Sequence, residues 1–423
     1  MSRLFGLLSV ALWAASVWGQ SLQVGSPAKA GFSVERLGRI DAVMNSYVTS
    51  GRLAGASGLI VRNGQVAFRQ RWGDMKDDSI VRVWSMGKVI AAVAALTLFE
   101  EGRFSLDDPV SKYLPEFSQM KVSVKTVDPS GRTVYTGVPA ERPITILDLF
   151  RHTSGLSYLF PLDETGRRVH DSVGIKGFPC VLPFDLAEFT RRLATVPLAA
   201  QPGSTRLYGY STDVLGRVME VISGKTLDVL LAERIFQPLH MTDSGFFVPE
   251  SKWSRLAVLY TPSDGCRTWR AGCRIEPVKG PEQDSFKRAP RNLMGGVGMV
   301  STLDDYARFC MMLLSEGKVE NVRVLGRKTV ELMRRDFLGD IARAAPFNLS
   351  ANSGFGLMVA TDPANGKSTE PGSPGVYYWY GANGTYFWID PSERMFGLFL
   401  SQLPFESTQA PLLFRRLAYA ALE

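Results

Sequence analysis

The chain has 423 residues, 45% of them hydrophobic and 21% charged, and 48 basic against 41 acidic residues leave a net charge of +7. That apolar content excludes a disordered chain, and the interspersed signs exclude a nucleic-acid partner: the densest basic patch, Lys279, Lys287, Arg288 and Arg291, reads as a solvated loop. Only three histidines, His152, His170 and His240, stand far apart with no zinc-ligand spacing, so no metal and no cofactor is expected.

Residues 1–19 carry one basic residue, Arg3, then an apolar run with small residues near its end. This pattern predicts a secretory signal peptide cut after Gly19, a periplasmic or secreted protein, and no stable membrane insertion after cleavage. No linker, low-complexity tract or repeat divides the remaining chain, which predicts one unit with an inserted subdomain. Two strand-like runs joined at Asn63 and Gly64 predict a hairpin over Gly55 to Arg71. Val81 to Gly102 follows, a serine opening a helix that is apolar on nearly every side. A second hairpin is expected over Val122 to Val138, around Asp128 to Gly131. Thr145 with Asp148 forms a capping box, Asp185 to Leu193 an amphipathic helix, and a further helix starts near Asp213. Past Ser301, another capped helix carries Cys310, expected as a buried free thiol, while Cys266 and Cys273 bracket a polar loop that a disulfide could close. Strand-like runs return at Gly354 to Thr361, Tyr377 to Ile389 and Phe396 to Gln402. Early strands, a helical middle and late strands imply one sheet built from both chain ends.

The chemistry centres on Ser85 and Lys88, one turn apart on one helix face. A serine hydroxyl needs a base within hydrogen-bond reach, and burial in an apolar helix lowers a lysine pKa toward that role. The same spacing recurs in Ser118 with Lys121 and Ser315 with Lys318, so context has to decide between a nucleophile and a capping serine. No G-x-S-x-G elbow is present, and His152 reads as a turn residue rather than a triad member. A second proton-handling group is required; Tyr208 is the candidate and Tyr210 its competitor.

These residues, with VRVWSMGK, LFRHTSGL, PGSTRLYGYSTDVLG, GGVGMVSTLDDYARF and WYGANGTYFWIDP in order along the chain, resemble the serine β-lactamase and penicillin-binding-protein superfamily, most closely family VIII carboxylesterases and class C β-lactamases. The resemblance implies an α/β (α+β) fold of β-lactamase type: an antiparallel sheet flanked by helices, formed by 20–80 and 290–423, with a mainly helical subdomain over 81–289. It implies Ser85 as nucleophile, Lys88 as base and Tyr208 as the tyrosine of a Y-x-N element. The backbone N–H groups of Ser85 and Ala382 would form the oxyanion hole. Tyr210 stands at the asparagine position, and Trp379, Tyr380 and Gly381 stand where lactamases carry K-T-G. Ser350 and Asn352 imitate an S-x-N element but come too late in the chain. The implied pocket, lined by Trp379, Tyr380, Gly381 and Tyr210, is aromatic and less cationic, which suits a small neutral ester. A β-lactamase, or a D-amino-acid peptidase or transacylase acting on peptidoglycan fragments, is the alternative.

Overall fold

The structure is a computed structural model and describes residues 23–158, 170–175, 182–263, 273–343, 353–362, 368–404 and 409–423. The signal-peptide segment, Cys180, Cys266, Ser350 and Asn352 lie outside the described residues. Cys273 is disulfide-bonded and Cys310 is a buried free thiol.

Eight strands form the main sheet: β1 (Gln23–Val24), β2 (Gly55–Arg62), β3 (Gln65–Gly73), β4 (Gly354–Phe355), β5 (Ala360–Thr361), β6 (Tyr377–Gly381), β7 (Thr385–Asp390) and β8 (Met395–Ser401), in the order β1-β3-β2-β8-β7-β6-β5-β4. Every pairing is antiparallel except the short parallel contact of β1 with β3. The β2–β3 hairpin turns on two residues, Asn63 and Gly64, both with positive φ (53° and 76°), the backbone that a tight two-residue hairpin needs. Chain ends meet at the centre of the sheet, where β8 pairs with β2 from Met395↔Arg62 to Ser401↔Ala56.

Two late runs are broken where the sequence reads continuously. Gly354 to Thr361 is a tight hairpin, with Gly356 N–H donating to the Val359 carbonyl at 2.8 Å and Met358 at φ 72°. Tyr377 to Ile389 is likewise two strands joined by Ala382, Asn383 and Gly384. Apolar residues continue through the first turn, so no hydropathy change marks it, whereas the second carries Asn383 and Gly384, the same turn pair as Asn63 and Gly64.

Alternate residues of the central strands enter opposite cores. Leu59, Val61, Phe387, Ile389, Phe396 and Leu398 point into the core that surrounds α2 (Gly87–Glu100). Ile60, Tyr386, Trp388 and Phe399 point the other way, against α1 (Val34–Thr49) and the C-terminal helix Ala410–Ala420. Burial on both faces explains why these strands are apolar throughout rather than alternating. Residues Gly87 to Leu98 are all buried, so α2 is the central post of the larger core. The helices Ser211–Ser223 (hereafter α3) and Leu303–Leu314 (α4) border it.

Candidate active site

Ser85 does not begin the α-helix itself. It sits in a short 3-10 turn, Trp84–Met86, that leads into α2, and Trp84 holds φ at 48°, an uncommon backbone for a bulky residue. Three neighbours pin this turn: Val83 N–H donates to the Met299 carbonyl (3.1 Å), Thr385 Oγ1 to the Val83 carbonyl (3.2 Å), and Tyr306 Oη to the Met86 carbonyl (3.1 Å). Strained backbone held from several sides is a feature that functional sites share.

Lys88, one turn on, is fully buried, and its Nζ makes three polar contacts: Ser85 Oγ at 3.2 Å, Tyr158 Oη at 2.8 Å and the Gly296 carbonyl at 2.5 Å. The Tyr208 ring centroid lies 4.7 Å from the same nitrogen. A carbonyl can only accept, so one Lys88 N–H is committed to Gly296. When the amine is neutral its lone pair is left to meet a hydroxyl proton, and Ser85 supplies one.

Tyr208 and Tyr158 come together because the segment after His152 pairs with the segment before α3. Leu207 N–H donates to the His152 carbonyl (2.8 Å), Tyr210 N–H to the Leu156 carbonyl (2.9 Å), and Ser157 bridges Gly209. Burial pushes the Tyr208 phenol well up from its ordinary range, with the Ser85 hydroxyl pulling the other way. At neutral pH Tyr208 is therefore a proton donor, and Lys88 is left as the group that can accept.

Tyr210, two positions on, is 5% exposed and wedged among Tyr158 (4.7 Å between centroids), Phe189 (5.3 Å) and His170 (5.9 Å). It buttresses the site from behind. Trp379 is 1% exposed, set in a cluster of tilted and edge-on rings with Tyr380 (5.1 Å), Phe355 (5.3 Å) and Tyr208 (5.6 Å), so it is a wall under the surface rather than an open lining. Gly381 lets the end of β6 approach the nucleophile turn: a Cβ there would come within 2.4 Å of the Val83 carbonyl and 3.2 Å of Trp84. Ala382, exposed, is the next residue.

Four residues around this cluster escaped sequence reasoning or were read differently. Tyr158 follows LFRHTSGLS and Asp213 follows Tyr208 by five positions; neither spacing announces that Tyr158 bonds Lys88 or that Asp213 lies near enough to feel its charge. His152 is wholly buried with φ 57°, its ring 4.6 Å from that of Tyr208, and neither ring nitrogen has a hydrogen-bond partner among the described residues. Burial, then the charges of Arg206 and Lys88, drives its pKa well below the usual value, so it is neutral, a packing partner of Tyr208 rather than a turn cap. Arg206 places a positive charge behind the aromatic wall, one that the sequence reading did not anticipate. Its guanidinium is 1% exposed and lies 4.5 Å from the Phe355 ring and 6.0 Å from those of Tyr208 and Trp379. Burial lowers its pKa to about 10, which leaves it a cation at neutral pH. No cluster of three metal-ligating side chains occurs among the described residues.

A serine and a lysine one turn apart at the head of a buried helix, beside the end of β6 in an antiparallel sheet, define a serine hydrolase with the β-lactamase-type fold. The Beta-lactamase family model matches residues 40–422, and the chain belongs to that family. It is 35% identical to protein Rv1367c of Mycobacterium tuberculosis over 78% of each chain, and 31% identical to esterase EstB of Burkholderia gladioli over 88% of this chain and 92% of that protein. Among solved structures, EstCE1, described as a hydrolase with promiscuous acyltransferase activity, superposes with a TM-score of 0.73 at 26% identity, covering 91% of this chain and 99% of that one.

Proposed function

We propose that this serine hydrolase cleaves short-chain, uncharged carboxylic esters through an acyl-enzyme on Ser85. The observation that carries the reading is the fully buried Lys88 amine, 3.2 Å from Ser85 Oγ and under the ring of Tyr208. Ser85 Oγ attacks the ester carbonyl as its proton passes to Lys88 Nζ. The tetrahedral oxyanion is held by the N–H groups of Ser85 and Ala382. Tyr208, a phenol kept protonated by burial, donates to the departing alkoxide and recovers its proton from the Lys88 ammonium. Water then enters by the reverse route, giving a proton to the same pair, which returns one to Ser85 Oγ as the acyl–Ser85 bond breaks. The half-buried Tyr380 ring, backed by the buried Trp379 and Phe355, favours an apolar acyl or alcohol group, and the similarity to esterase EstB supports an ester as substrate.

A second reading, turnover of an anionic lactam, is favoured by the Arg206 guanidinium, 6.0 Å from the Trp379 ring. Its burial behind that wall weighs against contact with substrate. The test is kcat/KM for p-nitrophenyl butyrate beside a chromogenic cephalosporin. The ester is expected to win by several powers of ten; a preference for the cephalosporin would replace the first reading with the second. Export is part of the proposal and rests on residues 1–19: N-terminal sequencing of protein recovered from periplasm or medium should begin at Gln20. Among the described residues, no helix is long and apolar enough to cross a membrane.

A further inference from the structure

Behind Lys88 lies a carboxylate that the mechanism above does not use. Asp213, in the first turn of α3, is fully buried. Its Oδ1 accepts the Gly296 N–H at 2.8 Å, and its Oδ2 has no hydrogen-bond partner among the described residues. Gly296 in turn presents its carbonyl to Lys88 Nζ at 2.5 Å. The glycine is required by this close approach: a Cβ on Gly296 would come within 2.9 Å of both Asp213 carboxylate oxygens. One residue thus has its N–H held by the carboxylate and its carbonyl held by the amine.

We propose that Asp213 is a positioning residue for Lys88: it fixes Gly296 so that its carbonyl aims the amine at Ser85, and its charge stabilises the ammonium formed when Lys88 takes the Ser85 proton. This rests on reading Lys88 as the base. A buried carboxylate is costly unless a cation compensates it, so Asp213 favours the charged form of Lys88, the ammonium that forms when the Ser85 proton arrives. Burial pushes the Asp213 carboxyl up from its ordinary range, while the Lys88 charge and the Gly296 N–H pull it back. The other titratable groups facing this pair are Tyr208 and Tyr210, from the segment entering α3, Tyr158, through its bond to Lys88, and His152, held neutral by burial and by the charges of Arg206 and Lys88. The 294–298 loop, Met-Gly-Gly-Val-Gly, brings no titratable side chain.

Removing the negative charge makes the ammonium less stable, so Lys88 loses its proton at lower pH but gains one less readily during attack. Asp213→Asn should therefore lower kcat about ten- to a hundredfold with KM changed less than about threefold, and move the acid limb of the pH–kcat/KM profile down by about one unit. The rate of fluorophosphonate labelling at Ser85 should show the same displaced pH dependence. Unchanged kcat, or a fall in kcat with the acid limb unmoved, would overturn the proposal. Should the asparagine variant not fold, Gly296→Ala, whose methyl displaces the carboxylate, carries the same expectation, and an acid limb and kcat like wild type would overturn it equally. Labelling of wild-type Ser85 tests the nucleophile separately. A wild type that labels elsewhere defeats the reading of the site, whereas a variant that labels Ser85 with unaltered pH dependence defeats only the role of Asp213.

Discussion

Besides Ser26 and Lys29, both exposed near the N-terminal strand, the chain carries the same Ser-x-x-Lys spacing in three places, and the surroundings of each pair differ completely. Ser118 ends the 3-10 turn Pro115–Phe117 and Lys121 begins the strand Lys121–Val127; Ser315 ends α4 and Lys318 begins the strand Lys318–Val319. All four of these side chains are exposed. There the lysine is solvated and the serine has no fixed partner to take its proton. Ser85 and Lys88 instead stand at the head of a helix buried on every side, with the lysine bonded to the Ser85 and Tyr158 hydroxyls and to the Gly296 carbonyl. Spacing alone brings two groups within reach of one another. Burial, and the contacts that burial enforces, turns one such pair into a nucleophile and a base.

The comparison breaks most sharply at the serines. Ser85→Ala should lower kcat for ester hydrolysis about a million-fold, while Ser118→Ala and Ser315→Ala remain at wild-type rate. Activity lost from either control, or a fluorophosphonate adduct found on one of them, would move the nucleophile. At the lysines the contrast is smaller: Lys88→Met should cost about two to four powers of ten in kcat, and Lys121→Met and Lys318→Met nothing measurable. The two tyrosines sharpen it further. Tyr208→Phe should fall in the same range as Lys88→Met, and Tyr210→Phe, which removes a hydroxyl from a residue packed behind the site, should stay within about tenfold of wild type. If the order of the tyrosines reverses, the proton-donating role passes to Tyr210.

The smallest effect concerns a buried charge used for structure rather than chemistry. Burial alone would raise the Asp148 carboxyl, but hydrogen bonds from Arg142, the Thr145 N–H and Thr153, with the Arg142 charge, bring it down from 3.8 to about 2. A carboxyl lowered in the folded state stabilises it above its unfolded pKa and loses that contribution as pH falls through the folded one. The contribution should be about 2 kcal/mol above pH ~4, vanishing toward pH ~2. Urea unfolding of wild type and Asp148→Asn should therefore differ most near neutrality and converge toward pH 2. A gap that persists at pH 2 would show that packing, not ionisation, carries the effect.

Local chemistry was legible in the sequence wherever a few neighbouring residues decide it. Asn63 and Gly64 specify a tight hairpin because both adopt positive φ. Thr145 and Asp148 cap Ile146–Phe150 reciprocally, as their spacing of three demands. The apolar circumference of α2 predicted its burial, and with it the setting of Lys88. The turn within Gly354 to Thr361 was not legible, because apolar residues run through it and only strand pairing shows where the chain reverses, whereas Asn383 and Gly384 do mark the turn within Tyr377 to Ile389. Nor were Tyr158, Asp213, Gly296 and Arg206, which reach the site from separate segments and carry no spacing relative to Lys88 that a linear pattern could report. The sequence by itself determined the nucleophile's helix, the reach of Lys88 to Ser85 and the family of the fold, since all three are written in short-range patterns. Only the tertiary structure decided which acceptors hold the lysine, which tyrosine faces it and what charge stands behind it, because those depend on register and packing between segments far apart in the chain.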